Sequence, residues 1–141
     1  MSSNTPAPDA LNKLGVGRLP DLIGMEVVGA TDDTVDGRLV VRPDLLAPNG
    51  FLHGATVVAL ADTCCGYGSF NTLPDGASGF TTIELKTNFL GTVREGTIHC
   101  TAKALHLGRS TQLWDAVVTA VDTGRPIAHF RCTQLVLWPR P

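Results

Sequence analysis

The sequence predicts an α+β domain in which one antiparallel β-sheet wraps around a single long helix. Three observations carry that prediction. Between Asn49 and Leu73 the chain runs from a turn bracketed by Gly50 and Gly54 to Leu73-Pro74 with no internal proline, and most of its residues are small or apolar. Val57, Val58, Leu60, Ala61, Cys64, Cys65 and Tyr67 cover nearly every direction of a helical wheel, so a helix here has to be buried on most sides. After Ser78 the pattern changes to period two, and the strand-like runs are separated by hairpin-length breakers, which makes neighbouring strands antiparallel. Finally, the sheet and the helix each have an apolar face to bury, and laying one on the other satisfies both.

Taken in order, residues 1–10 are rich in Ser, Thr, Pro and Asp, and we read 1–20 as a flexible lead-in to a single domain at 21–141. Leu11, Leu14 and Leu19 support one short helical turn before Pro20. Met25–Thr31 and Thr34–Arg42 read as strands joined at Asp32-Asp33, and Pro43 stops the second. Asp44–Asn49 is a loop into the helix, and Pro74-Asp75-Gly76 is the turn out of it. The later strands span about Ser78–Leu90, Gly96–Leu107, Gln112–Val121 and Ile127–Trp138. Their breakers are Gly91, Glu95-Gly96, Gly108-Arg109-Ser110 and the run from Asp122 to Pro126. No repeat or linker divides the chain.

Composition excludes several classes of function. With 43% hydrophobic and 17% charged residues, the chain carries more apolar surface than a monomer needs, which points to subunit contacts. A net charge of -2 without basic clusters argues against nucleic acid. No apolar run has the length of a membrane-spanning helix and no signal peptide opens the chain, so we expect a cytoplasmic protein with no membrane partner. Cys64 and Cys65 are neighbours on the helix, and Cys100 and Cys132 fall in strands. Neither a disulfide framework nor zinc spacing results, and we expect buried thiols and no metal.

Asp62 interrupts the apolar helix, and carboxylates are almost never buried without a partner or a task. Nine residues of helix separate it from His53, about 13.5 Å of rise and roughly half a revolution. The helix N-terminus offers free N–H groups and a positive dipole end, suited to a developing oxyanion. The carboxylate suits a base or a nucleophile. Within one subunit the two cannot meet around one small reacting group. A two-fold-related copy brings them together and generates two equivalent sites.

His53-Gly54 followed by Ala61-Asp62, together with the stretches HGATVVALAD and TTIELKTNFL in this element order, resembles the hotdog fold. Within that fold the chain is similar to acyl-CoA thioesterases of the phenylacetate-degradation and 4-hydroxybenzoyl-CoA types, over roughly Gly24 to Trp138. The resemblance implies an oxyanion role for the Gly54 N–H and a base or nucleophile role for Asp62. It also implies that His53 orients the loop or touches the thioester, and that Thr82 helps to position water. Thr81 has the opposite facing, so a register shift of one residue would exchange the two. Relatives carry a polar residue six positions before the histidine; here that position is Ala47, with Asn49 four before His53. Ala55 replaces a second glycine, and Gly91-Thr92 replaces an Arg-Pro pair. Arg109, Ser110 and Thr111 match the loop that contacts the nucleotide end of coenzyme A. The implied function is hydrolysis of an aromatic or medium-chain acyl-CoA, without a metal or redox cofactor, in a homodimer that pairs into a dimer of dimers. The alternative is a hotdog module that binds acyl-CoA without turning it over. Tyr67, Phe70, Trp114 and Trp138 read as packing residues, and His99, His106 and His129 as structural.

Overall fold

The long helix α3 (Gly54–Asn71) lies across one face of a six-stranded antiparallel sheet in the computed structural model, which describes residues 6–141. The strands are β1 (Met25–Ala30), β2 (Thr34–Val40), β3 (Gly79–Phe89), β4 (Thr97–Leu107), β5 (Thr111–Ala120) and β6 (Pro126–Leu137), in the order β1-β2-β4-β5-β6-β3. No residue of α3 between Thr56 and Ser69 is exposed, as expected of a helix without a polar stripe. Alternate residues of the strands, such as Val35 and Leu39, Ile98 and Cys100, Trp114 and Ala116, complete the core beneath it.

Two glycines set how closely helix and sheet approach. A Cβ on Gly68 would lie 2.3 Å from the Trp114 ring, and one on Gly37 would lie 2.7 Å from Cys64 Sγ. All four cysteines are buried and free. Hydrogen bonding to Cys132 and then burial push the Cys65 thiol well above its usual range, and hydrogen bonding to Cys64 and then burial do the same for Cys100. These thiols are packing groups on the seam between helix and sheet.

Residues 8–20, read from composition as flexible, are instead built into the fold. Helices α1 (Pro8–Leu14) and α2 (Leu19–Ile23) precede β1. Leu11 is fully buried, and the Asn12 side chain holds Val27 at two points, Nδ2 donating to Val27 O (3.0 Å) and Oδ1 accepting from Val27 N (2.8 Å). Composition misleads here because Pro8 stands in a first helical turn, where proline is tolerated, while the docking of Leu11 and Asn12 is tertiary. Residues 1–5 of the same reading lie outside the described residues. No helix among the described residues is long and apolar enough to cross a membrane.

Strand β3 ends the sheet and contains a bulge. Thr82 opposes Gln134 while Glu84 opposes Thr133, so Ile83 is the extra residue. Phe80 and Thr82 face the helix before the bulge, and Leu85, Thr87 and Phe89 face it after, each opposite a buried residue of β6. Ile83, Leu85 and Phe89 are 56%, 44% and 53% exposed along this free edge.

Candidate active site

The N-terminus of α3 is finished by one residue. His53 is extended (φ -64°, ψ 131°) and caps the helix, its Nδ1 accepting from Ala55 N at 3.0 Å. Its carbonyl accepts from Thr56 N (2.9 Å) and Val57 N (3.4 Å). Of the four N–H groups that a helix start leaves without a partner one turn back, those of Ala55 and Thr56 are thereby used, and His53 N itself donates to Leu45 O at 3.1 Å. The fourth, on Gly54, has no acceptor among the described residues. Because Nδ1 accepts, the neutral His53 ring carries its proton on Nε2. Gly54 borders a cleft of about 280 Å³ with Asn49, Phe89 and Thr92. Asn49 Oδ1 accepts from Phe51 N at 3.1 Å, which shapes the loop. A Cβ on Gly54 would lie 3.0 Å from the Phe89 ring, so glycine keeps this entrance open.

Asp62 lies in a second cleft, of about 300 Å³, walled by Leu14, Tyr67, Phe70, Phe80 and Thr82. Its Oδ1 is sealed from solvent with no hydrogen-bond partner among the described residues. Burial alone pushes the carboxyl above its usual range. Among the described residues no hydroxyl caps this carboxylate, as a purely structural acid would need. Thr82 faces this cleft, and its Oγ1 donates to Gln134 Oε1 at 2.7 Å, whereas Thr81 sits exposed on the opposite face. Tyr67 and Phe70, read from the sequence as packing residues, are cleft walls. Trp114 is packing, fully buried beneath α3.

The chain therefore brings Asp62 to Thr82, and Gly54 to Asn49, but holds the two groups apart. Eight helical residues separate Gly54 from Asp62, about 12 Å along the axis. Both clefts border β3, one through Phe80 and Thr82, the other through Phe89. Arg109, Ser110 and Thr111 line neither cleft. They stand at the turn between β4 and β5, near the C-terminus of α3, where Gln112 holds Thr72. The Arg109 guanidinium stacks 4.2 Å above the Trp138 ring, and Trp138 Nε1 donates to Arg109 O at 3.2 Å. No group of three His, Cys, Asp or Glu side chains among the described residues is arranged to hold a metal.

The family model described as the thioesterase superfamily matches residues 49–127, from the loop before His53 to the start of β6. The chain belongs to the thioesterase superfamily. Among thioesterases of known structure it is similar to one from Pseudomonas aeruginosa, crystallised as a mutant, with a TM-score of 0.89 and 29% identity over 95% of this chain and 96% of that one. A 1,4-dihydroxy-2-naphthoyl-CoA hydrolase of Listeria monocytogenes is 30% identical over 82% of this chain and 92% of its own length. The proofreading thioesterase EntH of Cronobacter turicensis is 32% identical over 78% and 80% respectively. The chain is thus a thioester hydrolase with the hotdog fold.

A thioesterase has to polarise a carbonyl oxygen and deliver a nucleophile to the carbonyl carbon. A free helix N–H and an unpartnered carboxylate are suited to those tasks. Three features of the site escape sequence reasoning. The bulge at Ile83 puts both Thr82 and Phe89 on the helix side, Leu14 reaches the Asp62 cleft from α1, and Gln134 holds Thr82. Of these, only Gln134 left a trace, as a polar residue at a core-facing position of a strand.

Proposed function

We propose that this thioesterase hydrolyses acyl-CoA esters at two equivalent sites in a homodimer, with Asp62 and Thr82 from one subunit and Gly54 from the other. The observation that carries the reading is the division of the machinery: a half-buried carboxylate with one sealed, unpartnered oxygen in one cleft and an unused helix N–H in another. The free edge of β3 is the natural seam. Antiparallel pairing of two β3 strands about Leu85 sets Glu84 opposite the partner's Lys86, and Lys86 opposite the partner's Glu84, which is favourable on both sides. It also covers Ile83, Leu85 and Phe89. With Ile83 left out of the pairing as the bulge residue, the partner's Phe89, which adjoins the partner's Gly54, falls opposite Phe80 on the helix side, beside Thr82. The two clefts then become one.

In the joined site the thioester oxygen accepts from the Gly54 N–H at the positive end of α3. A water oxygen adds to the carbonyl carbon while Asp62 takes one of its protons. Collapse of the tetrahedral intermediate breaks the C–S bond, and the departing thiolate receives the proton, giving free acid and coenzyme A. Burial favours proton uptake by Asp62 because it disfavours the ionised carboxylate. Arg109, held on Trp138, Ser110 and Thr111 receive the phosphates of the nucleotide end. The rings of Tyr67, Phe70 and Phe80 suit an aromatic or medium-chain acyl group, in keeping with the relative named for a naphthoyl-CoA. Two solved structures of a Staphylococcus aureus relative carry a glutamate-to-alanine and a glutamine-to-alanine change fifteen positions apart. The same spacing counted back from Asp62 falls on Ala47, in accord with an acid at position 62 and a departure at position 47.

The test is free-thiol release from phenylacetyl, hydroxybenzoyl, short and medium straight-chain CoA esters, with wild type and Asp62→Asn side by side. Hydrolysis by wild type that collapses in Asp62→Asn is expected. Release of thiol from none of the esters, with ligand still raising Tm, would move the protein to the binding modules.

A further inference from the structure

Gln134 is fully buried on the core face of β6, between Cys132 and Val136. A buried amide costs stability unless its donors and acceptor are all used. Here they are used unevenly. Gln134 Nε2 reaches only a weak acceptor, Cys132 Sγ at 3.6 Å, while Oε1 receives the Thr82 hydroxyl at 2.7 Å. An apolar residue of the same length would fill the site without that cost. The neighbouring Gln112, directly opposite on β5, differs: it ties Trp114 Nε1 (3.0 Å) and the carbonyl of Thr72 (3.1 Å) into the core. Among the described residues Gln134 has, besides the sulfur, one side-chain partner, and that partner lines the Asp62 cleft.

We infer that Gln134 is a positioning residue that fixes the Thr82 hydroxyl as an acceptor toward the cleft. This rests on the proposed hydrolysis by Asp62. A threonine hydroxyl has one proton and two lone pairs. With the proton committed to Gln134 Oε1, only lone pairs face the cleft. A water between Asp62 and Thr82 then gives one hydrogen to each, and its own lone pair is left for the carbonyl carbon. Without Gln134 the hydroxyl rotates and donates to the water, occupying the pair that has to attack. Gln134 touches no substrate atom and acts only through Thr82.

The experiment compares Gln134→Met, Thr82→Val and the double variant in the full-length protein, reading kcat, KM and Tm. Methionine keeps the length and volume and removes the acceptor. The expected result is a fall of about tenfold in kcat for Gln134→Met, as for loss of one hydrogen bond in the transition state. KM stays within about twofold, and Tm is equal to or above that of wild type. In the Thr82→Val background Gln134→Met is expected to have no further effect, because the group it orients is gone. Wild-type kcat in Gln134→Met, or losses that multiply in the double variant, would overturn the inference. Should Gln134→Met fail to fold, Gln134→Glu decides, since it retains an acceptor oxygen: near-wild-type kcat supports the inference, and a tenfold loss removes it. An inactive Asp62→Asn beside an unaffected Gln134→Met would leave the proposed reaction standing and this inference refuted.

Discussion

Replacing Gly54 by proline removes one hydrogen atom of the proposed chemistry and little else. Position 54 is the first residue of α3, where proline is favoured because its missing N–H has no intrahelical acceptor. The residue before a proline has to be extended, and His53 already is, at ψ 131°. The N–H groups of Ala55, Thr56 and Val57 keep their bonds to His53. The new Cβ would lie 3.0 Å from the Phe89 ring, which has to give by a few tenths of an ångström. Gly54→Ala makes the same contact and retains the N–H, so it serves as the reference. Loss of a single oxyanion donor lowers kcat by about 10²–10³, or about 3–4 kcal/mol in the barrier. We expect that difference between Gly54→Pro and Gly54→Ala in steady-state thiol release, with Tm values within a few degrees of each other. A Gly54→Pro enzyme with kcat within about threefold of Gly54→Ala would refute the oxyanion assignment.

Other expectations follow from the same geometry. Asp62 has to be ionised to act as a base, and burial raises its pKa, so the acid limb of kcat/KM should lie above the range of an exposed aspartate and vanish in Asp62→Asn. The same shift fixes the sign of a stability effect. A folded-state pKa above the unfolded value means that ionised Asp62 costs stability at neutral pH, and that this cost disappears below the unfolded value of about 3.9. Asp62→Asn should therefore melt above wild type at pH 7 and converge with it in acid; an unchanged or lowered Tm at pH 7 would show that the carboxylate is better solvated than the cleft indicates. If Asp62 is a base, a single turnover in ¹⁸O-water places solvent oxygen in the first product acid, whereas unlabelled first-turnover acid would make it the nucleophile. Leu14→Ala widens the Asp62 cleft and should shift kcat/KM toward bulkier acyl groups by several-fold, as for about one or two methylenes of pocket space. An unchanged substrate ranking would place the acyl group elsewhere.

The parts of the fold that were legible from the sequence are those that local chemistry dictates. The helix from Gly54 onward, the hairpin breakers and the strand alternation appear where residue types demand them, and the unpartnered Asp62 was conspicuous because nothing near it in sequence neutralises a charge. The reading that Asp62 and the helix start stay apart within one chain needed only the helical rise. What stayed hidden depends on contacts between distant segments. Leu11 and Asn12 look like part of a polar lead-in until Val27 is beside them. Tyr67 and Phe70 fit a core pattern equally well as a cleft wall, because a helical wheel does not reveal which side lacks a neighbour. The bulge at Ile83 has no glycine or proline to mark it, yet it decides that Thr82 and Phe89 face the same layer. Gln134 could be recognised as a functional group only after its bond to Thr82 was visible.

The central claim is that each site draws on two subunits, and a mixed dimer tests it most directly. Asp62→Asn and Gly54→Pro chains, given different affinity tags and co-expressed, yield a heterodimer that is isolated by sequential capture. If the sites are shared, one of the two in this heterodimer unites an intact Asp62 with an intact Gly54 and the other has neither. About half of wild-type kcat per dimer is then expected, although each parental homodimer is nearly inactive. A heterodimer no more active than its parents would contradict the shared site and return both functions to a single chain.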